Sequence, residues 1–389
     1  MEKIWIITDT NASFSASDFC IPGRELGFND AAYCRKMTLS GGRQTGVEII
    51  EISNGLLTLR VCPTRGMGII DGHFGPHPLG WQSPVREIVH PQYIHLLEMG
   101  GRGCHYGFNE FLNRCGIEWS GAMGDDEIIN NMGNTDRIFL PLHGKVGWTP
   151  ACRVALRCQD ETLILEGDVP EQIVFGVNYM LRTQLILEKG RTRIRIEDTL
   201  SNLGDGAGEY EMLYHTNFGP PFLEAGSQFL GTYDKLVPRD QFAAAGMDDL
   251  AVFPGPTPGF IEQVFLLQGC PDEQGFAHQL LVNAAQNLAA KVSYQIATLP
   301  YTILWKRCSG MRDGYVAGFN PCSDLPNPRR IEREGGRVAQ IQAGADVTFS
   351  HWIELFEGQD TVSAVKAEIQ RKRGQEQIGA AGDFTFFTR

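Results

Sequence analysis

The sequence predicts an all-β protein, built as one large antiparallel β-sandwich with only a few short helices. Glycine (45 residues) and aromatic residues (10%) are abundant, which suits many strands joined by tight turns. Short segments of alternating apolar and polar residues recur along the 389-residue chain, whereas helical periodicity is rare. No long linker or fixed-period repeat divides the chain, so we expect the strands to pack as two sheets of one domain.

The predicted strands are separated by recognisable turn residues. Asn54-Gly55 supplies a hairpin turn between strands over 47–52 and 57–61. Lys189-Gly190 joins a strand over 181–187 to one over 192–197, where clean alternation predicts one buried and one solvated face. Further strands are predicted over 162–167, 264–267, 279–282, 290–296 and 347–353.

Helical signals occur at two places. Pro91 favours a short helix over 91–98, because proline suits the first helical position. Apolar residues on one helical face predict a second helix over 361–373, which Gly374 ends. The chain is therefore expected to form a single domain over 1–389. Residues 1–40 would be an N-terminal extension, and residues 356–389 the C-terminal helix and tail.

Composition narrows the class of partner and the compartment. The formal net charge of −12 argues against non-specific binding to nucleic acid or to an anionic membrane surface. No segment reaches the roughly 20 apolar residues of a membrane-spanning helix, and the apolar stretch 4–7 is too short for a signal-peptide core. The ten cysteines include no CxxC pair, so free thiols and a cytoplasmic location are expected.

Turn-rich segments carry the side chains from which a site could be built. Arg65 and Trp81 follow predicted strands, Arg102 lies in a glycine-rich loop, and His143 and His215 lie beside glycine-bearing turns. Glycine lets a backbone approach a ligand closely. Arginine can hold a hydroxyl or carboxylate with its fork of donors, and a tryptophan ring can stack on a sugar. Two such histidines in a β-rich chain indicate a site.

The strand that ends near His215 adds a second polar group. Asn217 lies two residues further on, so both side chains share one face if the strand continues. An imidazole and a carboxamide on one face can both bind a polar ligand.

The order of several motifs then resembles a known family. The motifs are Leu142-His143-Gly144, Tyr214-His215-Thr216-Asn217-Phe218-Gly219 and Tyr301-Thr302-Ile303-Leu304-Trp305. In this order they resemble the galactose mutarotase-like superfamily. The chain looks more closely like an uncharacterised bacterial, aldose 1-epimerase-like branch. That closer match is carried by Arg65-Gly66-Met67, Leu79-Gly80-Trp81, Arg114-Cys115-Gly116 and the segment 328–335. The resemblance covers roughly residues 40–355, most of the chain by the yardstick of domain size.

The resemblance implies a β-supersandwich with a sugar cleft on one concave face. Mutarotation needs a base that removes the proton of the anomeric hydroxyl and an acid that protonates the ring oxygen. By the motif match, His215 is the acid and His143 binds or polarises the sugar. Imidazole suits the acid role because its ordinary pKa of about 6.5 lies near working pH.

The sequence departs from the family pattern at the base. The superfamily has a Glu-Pro segment where this chain has Asn320-Pro321, and a carboxamide cannot accept a proton in the relevant pH range. Glu262 lies in the interval where the superfamily places an acidic sugar-binding residue, so it is predicted to replace the missing base. Glu211 and Asp313 are further candidates.

The leading prediction is an isomerase of the aldose 1-epimerase type that acts on a small sugar without a cofactor or a metal. Its oligomeric state stays open. The predicted catalytic residues are His215, His143 and Glu262, and the predicted sugar-binding residues are Arg102, Arg65, Trp81, Asn217, Asn320 and Lys306. A first alternative is a carbohydrate-binding or sensing protein that lost the base, which Asn320 favours. A second is a metal-assisted isomerase or lyase with ligands from His90, His95, Glu98 and His105, where His95 and Glu98 would share a helix face.

Overall fold

The computed structural model of the protein describes residues 2–387 and consists mainly of β-strands. In chain order the strands are β1 Lys3–Asp9, β2 Phe14–Ser15, β3 Phe19–Pro22, β4 Ala32–Thr38, β5 Glu48–Asn54, β6 Leu57–Cys62, β7 Gly68–Phe74, β8 His77–Leu79, β9 Leu112–Ile117, β10 Gly124–Ile129, β11 Thr135–Leu140, β12 Arg153–Gln159, β13 Thr162–Gln172, β14 Asn178–Glu188, β15 Arg193–Asn202, β16 Gly208–Phe218, β17 Gln228–Gly231, β18 Tyr233–Pro238, β19 Gln263–Gly269, β20 Phe276–Val282, β21 Leu288–Gln295, β22 Tyr301–Cys308, β23 Tyr315–Cys322, β24 Ala339–Ile341, β25 Asp346–Glu357 and β26 Gln377–Ile378.

The helices are short, apart from one near the C-terminus. The α-helices are α1 Gly23–Leu26, α2 Glu98–Gly101, α3 Gln241–Ala244, α4 Arg329–Glu334 and α5 Gln359–Arg371. Single 3₁₀ turns cover Gly42–Gln44, Pro63–Arg65, Pro91–Tyr93, Gly103–Tyr106, Val146–Trp148, Met311–Asp313 and Phe384–Phe386. None of the helices within residues 2–387 has the length and apolar character needed to cross a bilayer.

Two large sheets form the body of the protein. The 10-stranded sheet has the order β17-β20-β21-β25-β15-β14-β13-β12-β1-β2. The 14-stranded sheet has the order β26-β18-β19-β22-β23-β16-β9-β7-β6-β5-β4-β3, with β24 paired to β16 and β8 paired to β7. Pairing is antiparallel along both sheets, except that β26 runs parallel to β18. The prediction of a large antiparallel sandwich with few short helices is confirmed.

The core lies between the two sheets, because buried apolar residues of both belong to one cluster. Ile52 and Leu59 of the 14-stranded sheet and Leu165 and Leu185 of the 10-stranded sheet are members. Alternating strand residues point to opposite faces, so each sheet contributes one face to this core. The other face of the 14-stranded sheet remains available for a site.

One buried polar group also joins the sheets. Arg114 on β9 donates from Nε to Asp198 Oδ2 on β15 at 2.5 Å, and Tyr214 Oη on β16 donates to the same carboxylate oxygen at 2.9 Å. Both members of the ion pair are buried. A buried charge is tolerated when it is paired and hydrogen-bonded, so this pair ties β9 and β16 to the opposite sheet.

Most local predictions hold at the level of elements. Asn54-Gly55 joins β5 to β6, and Lys189-Gly190 joins β14 to β15, as predicted. The C-terminal helix is confirmed as α5, although it begins at Gln359 without a side-chain cap. The predicted helix over 91–98 was wrong beyond its first turn. A 3₁₀ turn ends at Tyr93, and α2 starts only at Glu98.

The two ends of the chain extend the sheets. Strand β1 pairs with β12 in the 10-stranded sheet, and β3 and β4 form the far edge of the 14-stranded sheet. Helix α5 packs its apolar face on β17, β20 and β21. On the outer side of the 14-stranded sheet, Leu325 and Phe387 form a buried apolar cluster with residues of β9, β16 and β23.

Candidate active site

The site begins with the alternation of side chains along β16. Met212 and Tyr214 point inward and belong to the main core. Leu213 belongs to a separate apolar cluster on the opposite face of the sheet. His215 and Asn217 share that outer face because strand side chains alternate with a period of two. The predicted pairing of His215 and Asn217 on one face follows from this continuation of the strand.

Three polar residues form a row across the outer face. Strand β9 pairs Asn113 with His215. On the other side, β16 pairs Leu213 with Cys322 and Thr216 with Phe319, and this register places Asn320 opposite His215. The floor of the site is therefore Asn113, His215 and Asn320 on three adjacent strands.

A cavity of about 430 Å³ lies above this floor. Its volume suits a monosaccharide-sized ligand, since ligand pockets usually span about 300–1,000 Å³. Besides the floor residues, its polar and aromatic lining consists of Arg102, His105, Phe108, His143, Arg239, Glu262 and Trp305. The structure therefore brings together His143, His215, Glu262, Arg102 and Asn320 from the predicted set.

The hydrogen bonds of His215 determine its tautomer. Asn217 Nδ2 donates to the carbonyl oxygens of Glu110 at 3.0 Å and His215 at 3.2 Å, so its Oδ1 must be the acceptor that faces His215. His215 Nδ1 lies 2.8 Å from that oxygen and therefore donates. This leaves Nε2 of the neutral ring with its lone pair. Burial lowers the pKa of His215 to about 3, with nearby His143 adding to the effect, so the ring is neutral at pH 7.

His143 has the same arrangement on a different element. Its Nδ1 lies 2.9 Å from the carbonyl oxygen of Ser120 and donates to it, which again leaves Nε2 as an acceptor. Burial lowers the pKa of His143 to about 4. The two imidazole rings lie 5.5 Å apart between centroids, nearly perpendicular to each other. The cavity is thus lined by two neutral imidazoles that can accept protons.

The backbone around His143 is unusual. His143 has φ +66°, in the left-handed region that non-glycine residues rarely occupy, and the next residue, Gly144, has φ +70°. Ser120, which holds the imidazole, is itself held by Glu211, whose Oε2 accepts from the Ser120 amide at 2.8 Å. Glu211 lies outside the cavity lining, so it supports His143 through Ser120 rather than facing a ligand.

Glu262 provides the carboxylate of the cavity. Its Oε1 accepts from Arg239 Nη2 at 3.0 Å, and its Oε2 accepts from Trp305 Nε1 at 2.9 Å. Two donors from β22 and from the segment after β18 therefore hold the carboxylate in place. Carboxylate oxygens have further lone pairs, so Glu262 can still accept a hydrogen bond from a ligand.

Asn320 presents a donor to the cavity. Its Oδ1 accepts from the Thr216 amide at 3.0 Å, which fixes the orientation of the carboxamide. The Nδ2 group is then the end that remains for a ligand.

Trp81 and Arg65 lie behind the cavity instead of in it. Trp81 Nε1 donates to the carbonyl of Glu110 at 3.0 Å, and its ring packs on Phe108 at 5.6 Å, which in turn packs on His215. Arg65 is fully buried, pairs with Glu110 and donates to the Gly107 carbonyl at 2.8 Å. Both residues shape the loop that carries Phe108. Asn217 likewise acts on His215 and lies outside the cavity lining.

Lys306 does not reach the cavity. Its Nζ donates to the carbonyls of Asp249 at 2.7 Å and Val252 at 2.9 Å and lies over the Phe253 ring. Because Trp305 faces the cavity, alternation along β22 turns Lys306 toward the inner side of the sheet. Its predicted contact with a sugar is therefore corrected.

The structure does not contain the helix over 91–98 that would have placed two of the predicted metal ligands on one face. His95 lies between the 3₁₀ turn and α2, so it does not share a helical face with Glu98. Within residues 2–387, no group of three or more His, Cys, Asp and Glu side chains is placed to hold a metal ion.

Five polar or aromatic lining residues were not among the predicted catalytic and sugar-binding residues: Asn113, His105, Phe108, Arg239 and Trp305. Asn113 carried the clearest signal, since it is a polar residue in a short apolar strand. His105 and Phe108 follow the glycine-rich loop of Arg102 and could have been included with it. Arg239 had no sequence signal, because its role depends on its contact with Glu262, 23 residues later.

Comparisons with known proteins agree with this architecture. The family model described as "Domain of unknown function (DUF4432)" matches residues 44–355. Searching curated proteins by sequence gives no match. The crystal structure of a "putative aldose 1-epimerase" from Klebsiella pneumoniae is 30% identical, with a TM-score of 0.90 over 100% of both chains.

More distant structures share the fold. A galactose mutarotase-like protein from Clostridium acetobutylicum is 13% identical, with a TM-score of 0.62 over 85% of this chain and 100% of its own. A galactose mutarotase related enzyme from Lactobacillus acidophilus is 12% identical, with a TM-score of 0.53 over 80% and 99%. The chain therefore belongs to the DUF4432 family and shares the fold of galactose mutarotase-like proteins.

Proposed function

We propose that the protein interconverts the anomers of a small aldose by proton transfer at the anomeric carbon. The observation that carries this proposal is the pair of imidazoles of His143 and His215, whose Nδ1 atoms donate to acceptors of the protein. Their Nε2 atoms are left free to accept a proton from a ligand in the cavity. A neutral imidazole can accept a proton from a substrate hydroxyl, and because burial lowers its pKa, the imidazolium that forms readily gives the proton on. The likeness to proteins described as aldose 1-epimerases or galactose mutarotase-like supports the reaction class.

In the proposed reaction, His215 takes the proton first. Its Nε2 accepts the proton of the anomeric hydroxyl while the bond between C1 and the ring oxygen breaks. The imidazolium so formed gives this proton to the ring oxygen, which yields the open-chain aldehyde. After rotation about the C1–C2 bond, the same steps in reverse close the ring on the other face of C1.

This assignment revises the role predicted for His215 from the family likeness. A ring that is neutral at pH 7 with a bare Nε2 has no proton to donate at the start, so it must act as base before it acts as acid. Glu262 is the other candidate base. Both of its oxygens already accept hydrogen bonds from the protein, whereas no protein group donates to His215 Nε2 among residues 2–387. We therefore assign Glu262, His143 and Asn320 to binding the sugar hydroxyls.

The proposal is tested by NMR exchange spectroscopy between the α and β anomers of a sugar panel that includes galactose, glucose and galacturonate. Wild type should speed the exchange, and His215→Asn should lower kcat by about 10²–10⁴-fold. His73→Asn is the matched control, since His73 is exposed on β7 and should leave kcat unchanged. A folded His215→Asn variant with wild-type exchange would refute the assignment.

A carbohydrate-binding protein without turnover is the second candidate. The observation in its favour is Asn320, whose carboxamide oxygen accepts from the Thr216 amide. Asn320 therefore offers the cavity only its Nδ2 donor, which cannot act as a base. In this case wild type should bind a sugar of the panel, measured by calorimetry, and leave its anomer exchange at the rate of buffer alone.

A further inference from the structure

We propose that the sugar carries an anionic substituent, such as a carboxylate or a phosphate, and that Arg102 binds this group at the mouth of the cavity. The inference rests on the proposed function and names the substrate class of the same site. It is carried by the charges of the cavity, by the anchoring of Arg102 and by the donors of the floor.

Two arginines line the cavity, and one of them, Arg102, has no carboxylate partner among the described residues. Arg239 is paired with Glu262 at 3.0 Å and with Asp240 at 2.9 Å. Arg102 makes no ion pair with any residue of 2–387, and the hydrogen bond from its Nη1 goes to the Met99 carbonyl at 3.4 Å. A guanidinium that faces a cavity and has no carboxylate partner of its own is suited to bind an anionic oxygen of a ligand. Among the lining residues, two guanidinium groups therefore accompany a single carboxylate, in a protein whose formal net charge is −12.

The backbone presents Arg102 next to the imidazoles. Met99, Gly100 and Gly101 have φ values of +52°, +64° and +87°, so three successive residues occupy the left-handed region just before Arg102. The Gly101 carbonyl accepts from the Leu142 amide at 2.8 Å, which joins this turn to the residue preceding His143. Arg102 is therefore positioned by a defined turn, and a left-handed non-glycine residue such as Met99 is typical of functional loops.

The floor of the cavity adds donors and no negative charge. Asn320 offers Nδ2, because its oxygen accepts from the Thr216 amide. Asn113, on the other side of His215, is also an uncharged carboxamide. The cavity carboxylate, Glu262, is paired with Arg239, which also pairs with Asp240 outside the cavity lining. An anionic substituent would thus meet the unpaired Arg102, while the one lining carboxylate already has a cationic partner that reduces like-charge repulsion.

The test compares matched sugars that differ in one charged group. Galactose is paired with galacturonate, and glucose with glucose 6-phosphate, and kcat/KM for anomer exchange is measured by NMR for each. For at least one pair, wild type should favour the anionic sugar by about 10- to 100-fold, or about 1.4–2.8 kcal/mol at 1.4 kcal/mol per tenfold. The pair that shows the preference distinguishes a carboxylate from a phosphate substituent. The preference should decrease as salt is raised, because Arg102 is exposed at the mouth.

Variants connect the preference to Arg102. Arg102→Gln should reduce the ratio of anionic to neutral kcat/KM to about one, and Arg102→Lys should retain part of it because the charge remains without the planar fork. Arg24→Gln is the matched control, because Arg24 is exposed on α1 at the far edge of the sheet and should leave the ratio unchanged. Equal or better turnover of the neutral sugar by wild type in both pairs would overturn the inference. An unchanged ratio in Arg102→Gln would also overturn it.

A failure of the proposed function would look different. If no sugar shows faster exchange, the epimerase proposal fails, and binding of the same four sugars by calorimetry then decides the inference. Tighter binding of an anionic sugar that Arg102→Gln weakens at least tenfold would support it, whereas equal binding or no binding would overturn it.

Discussion

The hydrogen bond between Asn217 and His215 predicts that Asn217→Ala lowers kcat. Asn217→Ala removes the oxygen, 2.8 Å away, that accepts from His215 Nδ1. It also removes two donations, to the carbonyls of Glu110 and His215. The side chain lies outside the cavity lining, so the substitution changes no direct contact with a sugar.

The size of the effect follows from the tautomer. A buried donor left without an acceptor costs about 1–3 kcal/mol, so the proton of His215 is expected to move from Nδ1 to Nε2, where it can bond to a ligand. In that tautomer Nε2 can no longer accept the anomeric proton. Restoring the reactive tautomer then adds about 1–3 kcal/mol to the barrier, which lowers kcat by about 5- to 150-fold.

The assay is NMR anomer exchange under saturating sugar, together with a urea titration of each variant. Asn283→Ala is the matched control, because Asn283 is a buried asparagine in the turn between β20 and β21 and should lower stability without lowering kcat. The double variant His215→Asn/Asn217→Ala should be no slower than His215→Asn alone, since both changes disable one base. Wild-type kcat in folded Asn217→Ala, or multiplicative losses in the double variant, would refute the reasoning.

Three further predictions address binding and stability. Glu262→Gln should lower kcat/KM by about tenfold, mainly by raising KM, because Glu262 is assigned to binding the sugar. If the exchange assay showed a large loss of kcat instead, Glu262 would be the base. Asp198→Asn leaves the Arg114 charge buried without a carboxylate, so it should lower the free energy of unfolding in urea by about 3–5 kcal/mol. The control Asp125→Asn changes an exposed ion pair and should lower it by less than about 0.5 kcal/mol. Equal losses in the two variants would contradict the prediction. Burial lowers the pKa of His351 to about 3, so as pH falls below about 6.5 the unfolded chain binds a proton that the folded chain does not, and stability is lost. The difference in free energy of unfolding between His351→Leu and wild type should therefore be about 2 kcal/mol more in favour of the variant at pH 5 than at pH 7. Urea titrations that give the same difference at both pH values would contradict this.

Local chemistry in the sequence was enough to predict the elements and the fold class. Asn54-Gly55 joins its two strands because Gly55 adopts a φ of +93° and Asn54 Oδ1 accepts from the amides of Leu56 and Leu57, and both requirements depend on sequence neighbours only. The floor of the cavity could not be predicted in the same way. Asn113, His215 and Asn320 are about a hundred residues apart in sequence, and their alignment depends on the register of β9, β16 and β23.

The side chains that moved out of the predicted site show two different limits. Lys306 can be excluded once Trp305 is known to face the cavity, because adjacent residues of one strand face opposite sides. Arg65 cannot be excluded in this way, because nothing near it in sequence indicates that Glu110 would meet it in the core. Arginine in a turn is usually exposed, and only the folded structure reveals the buried pair.

The left-handed backbone at His143 makes this position a sequence marker for the proposed sugar binding. An L-residue in this conformation costs about 1–2 kcal/mol, which glycine avoids, as neighbouring Gly144 does. Backbone strain alone would therefore favour glycine at this position, whereas a ligand contact through the imidazole favours histidine. Under the proposed function, relatives that have histidine here are expected to bind a sugar in the cavity, and relatives that have glycine here are expected to have lost that binding.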